Sequence, residues 1–168
     1  WKPQSISETL TLPINTFLPF IQWCKEHKEI CTMEWAEGNK IKFYPGISSS
    51  SAQISFKSKN GWFEIEGDVE FSEGHVISLQ KLLEVMHQSV QQKYIRISDN
   101  EFITLSNQLS RILKRLDTVT TESRSHLQMA PAAVALLGDL WNDEALNIQN
   151  NDGINALRQR IEESSKKV

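Results

Sequence analysis

Residues 61–71 impose the tightest constraint on what this chain can fold into. Phe63, Ile65, Val69 and Phe71 alternate with Glu64, Glu66, Asp68 and Glu70, a period of two that only an extended strand sorts onto opposite faces. One face must cover an apolar core, and the other meets water or a polar partner. Further strands are expected at 31–35, 40–44 and 52–57, which are short, rich in aromatic and β-branched residues, and punctuated by Gly38, Pro45-Gly46 and Asn60-Gly61. Serines 48–51 read as a flexible loop between two of these strands. Gly67 interrupts the inward face and marks a candidate bulge.

Helical periodicity supplies the elements that cover the sheet. Residues 13–28 predict a first helix with Ile14, Phe17, Phe20, Ile21 and Cys24 on one face, Thr16 as N-cap and Pro19 in the first turn. Ser78 caps a second helix with Leu79, Leu82, Leu83 and Met86 inward. Segments 93–97 and 101–105 form a hairpin around Ser98-Asp99-Asn100, with positive φ at Asn100. Ser106 caps a helix carrying Leu109, Ile112, Leu113, Leu116 and Val119. Pro131 opens another, with Ala133, Leu136, Leu137 and Leu140 inward. Residues 142–152 read as a polar loop, and Ile154, Leu157 and Ile161 offer one last docking helix before a solvated tail. The segregation of strands and helices predicts an α+β fold, a mainly antiparallel sheet with helices packed on it. It occupies one domain at 1–141, with 142–168 as a connector or helical extension.

Composition narrows the functional classes. Of 168 residues, 39% are hydrophobic, enough for a core, and the net charge of −3 argues against a dedicated nucleic-acid module, which is normally basic. The longest apolar run, Ala130 to Leu137, contains Pro131 and is far too short to span a bilayer, so no membrane partner is expected. Two cysteines make no disulfide scaffold and fit a reducing, cytoplasmic setting. The first residue is Trp1, with no signal-peptide pattern, and the chain reads as a piece of something longer. Gly-x-x-x-x-Gly-Lys-Ser/Thr, Gly-x-Gly-x-x-Gly and Gly-x-Ser-x-Gly are all missing from it, so ATP hydrolysis by this segment alone is not expected.

Four groups of residues invite chemistry. Cys24, His27 and Cys31 have the residue types of a zinc site, but a structural site takes four ligands and His75, His87 and His126 do not complete the set. No zinc is therefore expected, and Cys24 on the apolar stripe behaves as a small hydrophobe. With one helix at 13–28, Cys31 lies beyond its end; within a continuous helix the ~10 Å of rise would in any case keep a Cys24–Cys31 disulfide from closing. The acids Glu64, Glu66, Asp68 and Glu70 share one strand face, suited to a basic partner or a divalent cation, or simply to solvation. Arg111, Lys114 and Arg115 lie outward on the Leu109–Leu116 helix, with Arg124 beyond it. They can meet phosphate oxygens or merely complement the helix dipole. Trp62 and Tyr94, which could serve as base-stacking aromatics, better suit a core or its rim.

Residues 60–141 resemble the helicase-associated domain found upstream of the motor in bacterial SWI/SNF-type ATPases. Gly61-Trp62-Phe63-Glu64-Ile65 is similar to that family's Trp-Phe-acidic-aliphatic strand, and Ile77-Ser78-Leu79 with Leu82-Leu83 to its following helix. Tyr94-Ile95-Arg96-Ile97-Ser98-Asp99 and Phe102 resemble its hairpin, and Leu127 to Leu140 its alanine-containing helix. The match covers about half the chain, and Asp99-Asn100 replaces the family's usual Asp-Gly. The resemblance implies a non-catalytic accessory domain that positions or regulates a motor in the same parent chain. That motor supplies ATP and Mg chemistry and DNA contact, in the bacterial cytoplasm. No catalytic residue and no cofactor is implied for the segment itself. The other classes left open are an independent protein-binding module using the acidic face, and a small hydrolase.

Overall fold

A computed structural model describes residues 10–88, 93–123, 126–149 and 152–166. The chain runs α1 (Ile14–Glu26), β1 (Lys42–Ile47), β2 (Ala52–Lys59), β3 (Trp62–Ser72), β4 (His75–Ser78) and α2 (Leu79–Gln88). It continues through β5 (Ile95–Ser98), β6 (Glu101–Leu105), α3 (Asn107–Val119), β7 (Thr120–Ser123) and β8 (His126–Met129). A 3-10 helix at Pro131–Leu136, the single turn α4 (Gly138–Trp141), β9 (Asn147–Gln149) and α5 (Asp152–Ser165) complete it. The fold is α+β with mostly antiparallel pairing, as the sequence implies. Among the described residues no helix is long and apolar enough to cross a membrane.

The larger sheet is built on β3, in the order β7-β8-β3-β2-β9, with β4 pairing the second half of β3. β2 and β3 are joined by Asn60-Gly61, whose φ values of 51° and 81° match the two-residue turn that suits a twisted hairpin. The inward face of β3 is as read: Phe63, Ile65 and Val69 are buried, Phe71 partly so. Ala52, Ile54 and Phe56 of β2, Leu127 and Met129 of β8, and Ile77 of β4 join them. Gly67 marks no bulge with β2, because its register with Ile54 is regular. A Cβ there would lie 2.4 Å from the Gln53 carbonyl oxygen, so the glycine permits close strand approach.

The smaller sheet, β1-β6-β5, lies between two cores. β1 runs parallel to β6, with Phe43 opposite Phe102 and Tyr44 opposite Ile103. Tyr44, Ile103, Leu105, Ile95 and Ile97 pack into the main core with α2 and α3. Phe43, Phe102 and Tyr94 face a second cluster built with Leu18 and Ile21 of α1. Tyr94 is therefore core, whereas Trp62 is 46% exposed.

Several local expectations are corrected. Segment 31–35 forms no strand; Met33 and Trp35 pack on the second cluster without a strand partner among the described residues, so β-propensity alone builds no ladder. The helix α1 starts after Pro13, whose carbonyl accepts from the Thr16 and Phe17 N–H groups at 2.9 Å each. Thr16 is thus inside the helix, and Pro19 sits in the second turn, where it cannot donate to the Asn15 carbonyl. Leu18 is buried in place of Phe20. Positive φ falls on Asn60 and, among the described non-glycine residues, not on Asn100, whose side-chain amide donates to the Gly38 carbonyl at 3.2 Å. Serines 49–51 form a 3-10 turn with Ser49 buried, not an open loop. Leu127 to Leu140 is no single helix, and Leu136 is exposed. β8 ends at Met129 and Pro131 starts a 3-10 turn.

The division anticipated at 141 does not appear as a break in packing. β9 lies parallel to β2, Ile148 opposite Ile54, while Leu146 and Ile154 enter the main core. Asp143, 7% exposed, holds this segment down: Oδ1 accepts from the Ala145 N–H at 2.9 Å. Burial pushes its carboxyl up, but the surrounding polar groups of Ser49 and Gln108 and the Ala145 and Leu146 N–H groups outweigh this and hold it below the usual range. The unfolded chain therefore takes up the proton first. The stability Asp143 contributes is complete above the unfolded value of about 3.9 and fades as pH falls through the folded value. Asp143→Asn is expected to lower stability by about 1–3 kcal/mol at pH 7. Urea midpoints of both proteins, measured from pH 7 to 3, should converge at the acid end; a gap independent of pH would refute the assignment.

Candidate functional site

The cationic face follows from how α3 is anchored. The Ser106 hydroxyl accepts the Leu109 N–H at 3.2 Å, fixing the start of the helix. Leu109, Ile112, Leu113 and Leu116 are fully buried, each worth roughly 1.5–3 kcal/mol in apolar burial. With that stripe inward, Arg111, Lys114 and Arg115 are forced to the exposed side. Arg115 Nε is 3.8 Å from Asp139 Oδ2, both groups half-exposed, so this loose pair is easily exchanged for another anion. Among the described residues Arg111 and Lys114 have no ion-pair partner. Lys114 borders a cavity of about 340 Å³ with Met86, His87 and Asp117, and His87 Nε2 lies 3.4 Å from Asp117 Oδ1. Arg124 lies outside the described residues.

The acidic strand face is a mixed ladder. Glu64 is buried at 8% exposure, not solvated, and its Oε1 accepts from Lys59 Nζ at 2.7 Å. The Lys59 ammonium holds the Glu64 carboxyl below its ordinary range against the opposing effect of burial. Glu66 pairs with Lys57 at 2.5 Å, and Glu70 accepts the Gly74 N–H at 3.1 Å. Asp68 lies exposed between them. Two of the four acids are thus met by cations of β2, and the charge available to a basic partner or a metal falls accordingly. At one end of this face Trp62, Glu64, His126 and Gln128 border an open cavity of about 570 Å³.

Cys24, His27 and Cys31 are brought together incompletely. The two Sγ atoms are 2.9 Å apart, but His27 Nδ1 lies 2.9 Å from the Trp23 carbonyl and its ring stacks on Trp23 at 4.6 Å. His75 Nδ1 lies 3.0 Å from the Glu73 carbonyl. No group of three or more metal-ligating side chains forms among the described residues. The sulfur contact arises because α1 ends at Glu26, so that Cys31 lies beyond the helix and the chain doubles back.

Two features escaped the sequence reading. Phe20 and Trp23 of α1, exposed, and His27 just beyond its end stack in a column, with Phe20 and Trp23 centroids 6.5 Å apart; their i, i+3, i+7 spacing is visible in the sequence, but periodicity assigns Phe20 to the inward face. Asp143 meets the near Ala145 N–H, but its burial depends on segments distant in the chain, around Ser49 and Gln108, which no local pattern announces. Comparison of the chain with protein-family models, curated proteins and solved structures gives no match.

Proposed function

We propose that this segment is a non-catalytic accessory domain of a bacterial SWI/SNF-type ATP-dependent DNA translocase or helicase, positioning or regulating the motor from within the same parent chain. The ordered blocks within 60–141 carry this reading. In the fold the first three fall on consecutive, mutually packed elements: β3, the β4–α2 junction, and the β5–β6 hairpin. The block at Leu127 to Leu140 supports it least, because strand and 3-10 turn replace the family's helix. The module works in the cytoplasm and meets DNA through the parent, where ATP and Mg belong to the motor. A Gly-x-x-x-x-Gly-Lys-Ser/Thr motif within ~100 residues beyond Val168 belongs to the same expectation.

The face of Arg111, Lys114 and Arg115 is the surface through which this module touches DNA phosphates. The alternative, a protein-binding module using the acidic strand face, is less favoured because Lys59 and Lys57 already meet Glu64 and Glu66. The test uses the parent ATPase with all three cations changed to Glu. The DNA concentration for half-maximal stimulation of ATP turnover should rise by about tenfold or more at low salt. Its dependence on log salt should become shallower by up to about 3 in slope, because three phosphate contacts no longer release counterions. Unchanged stimulation and an unchanged slope would remove DNA contact from the proposal and leave a protein-facing scaffold.

A further inference from the structure

The chain's two cysteines are seven residues apart, and the end of α1 folds them onto each other. The His27 N–H donates to the Trp23 carbonyl, and the Ile30 and Cys31 N–H groups both donate to the His27 carbonyl, each at 3.0 Å. This reversal takes the place of the ~10 Å of rise that a continuing helix would insert. Cys31 Sγ thereby donates to Cys24 Sγ across 2.9 Å. Cys24 is buried and Cys31 half-exposed. Burial and the adjoining Cys31 thiol push the Cys24 thiol up to about 11, so Cys31 is the sulfur an external reagent meets first. His27, the third candidate donor in the sequence, is turned onto Trp23. The geometry therefore suits sulfur–sulfur chemistry better than metal binding.

We propose that Cys24 and Cys31 form a redox-modification site that low-molecular-weight disulfides oxidise to an intramolecular disulfide. Cys31 gives its proton to solvent, and its thiolate attacks one sulfur of the small disulfide. A mixed disulfide forms, the reagent's S–S bond breaks, and one small thiolate leaves and is protonated. Cys24 then loses its proton to solvent and attacks the Cys31 sulfur. The Cys24–Cys31 bond forms as the mixed bond breaks, releasing the second small thiol. Two electrons pass from the protein to the reagent, which leaves as two thiols. The product closes residues 24–31 covalently. It pins the end of α1 to the segment whose Met33, Trp35 and Ile41 pack on the second core, and so fixes the helix that displays Phe20 and Trp23.

The test equilibrates the 168-residue chain with oxidised and reduced glutathione as probe, quenches with a maleimide, and reads intact mass and the linked peptide. The folded chain should form the internal disulfide with an equilibrium constant about 100-fold above that of the same chain in urea, because folding holds the sulfurs together. That factor corresponds to about 60 mV. Equal constants in the folded and urea-unfolded chain would overturn the proposal. So would a stable glutathione adduct on Cys31, or disulfide-linked dimers in place of internal closure. Cys31→Ser should leave the buried Cys24 largely unmodified; modification of Cys24 as fast as in the parent would overturn Cys31 as the point of entry. The folded-against-unfolded comparison needs no substitution and stands whether or not that variant folds.

Discussion

Phe63→Ala is expected to destabilise the protein by roughly 3–5 kcal/mol, while Glu66→Ala, three residues along the same strand, should change stability by no more than about 0.5 kcal/mol. Phe63 is 5% exposed, and its register partner on β8 is Met129, itself fully buried. Truncation therefore leaves a cavity where two strands meet, and the rigid ladders on either side of β3 limit how far the wall can relax into it. Glu66 faces outward, and its partner Lys57 is 59% exposed, so water replaces most of what the pair supplies. Equilibrium urea unfolding of the three proteins measures both effects. A Glu66→Ala loss as large as that of Phe63→Ala would mean that the outer face is covered and not open.

Such a contrast was legible in the sequence because alternation over 61–71 has one extended solution. The same holds wherever the deciding chemistry is local. Ser78 and Ser106 cap the helices that follow them, their hydroxyls accepting from Lys81 and Leu109. The outward cations of α3 are the complement of a single apolar stripe. Reading failed where the partner is remote or the stripe is double. α1 is apolar nearly all round, with Ile14, Phe17, Leu18, Phe20, Ile21, Trp23 and Cys24, so periodicity alone does not choose between Leu18 and Phe20. The second core chooses, and it is assembled from Phe43 and Tyr94 far along the chain. Parallel pairing of β1 with β6 and of β9 with β2 likewise leaves no trace in either strand. At the candidate sites the same division applies. The charge of Glu64 was plain, but its burial depends on Lys59 across the hairpin and on β8 alongside. The sulfur contact turned on where α1 stops, the least certain feature of any periodic segment.

A chain ending at Trp141 is expected to lose its cooperative fold altogether. The cut removes Leu146 and Ile154, 6% and 0% exposed, and loss of each such side chain costs about 2–5 kcal/mol. It also removes the β9 ladder along β2 at Gln53, Ile54 and Ser55, the buried Asp143 carboxylate, and the partly buried Ile148, Leu157 and Ile161. Trp141 would remain, its indole N–H donating to the Val134 carbonyl at 2.9 Å and its ring 5.1 Å from that of Phe56. Its other side would be stripped of the Arg158 guanidinium, which sits 4.7 Å from the ring centroid. Two core aliphatics alone approach the ~5–15 kcal/mol that separates a folded domain from its unfolded chain, and the remaining losses add to them. Far-UV circular dichroism with urea titration of residues 1–141 and of the full chain decides the matter. A sharp transition near the full-length midpoint would show β9 and α5 to be a dispensable appendage. Loss of the transition would make residues 142–161 part of the folding unit. In the accessory-domain proposal, whatever follows α5 would then be joined to a helix seated on the core and not to a slack linker, so that displacement of the module would be transmitted along the chain.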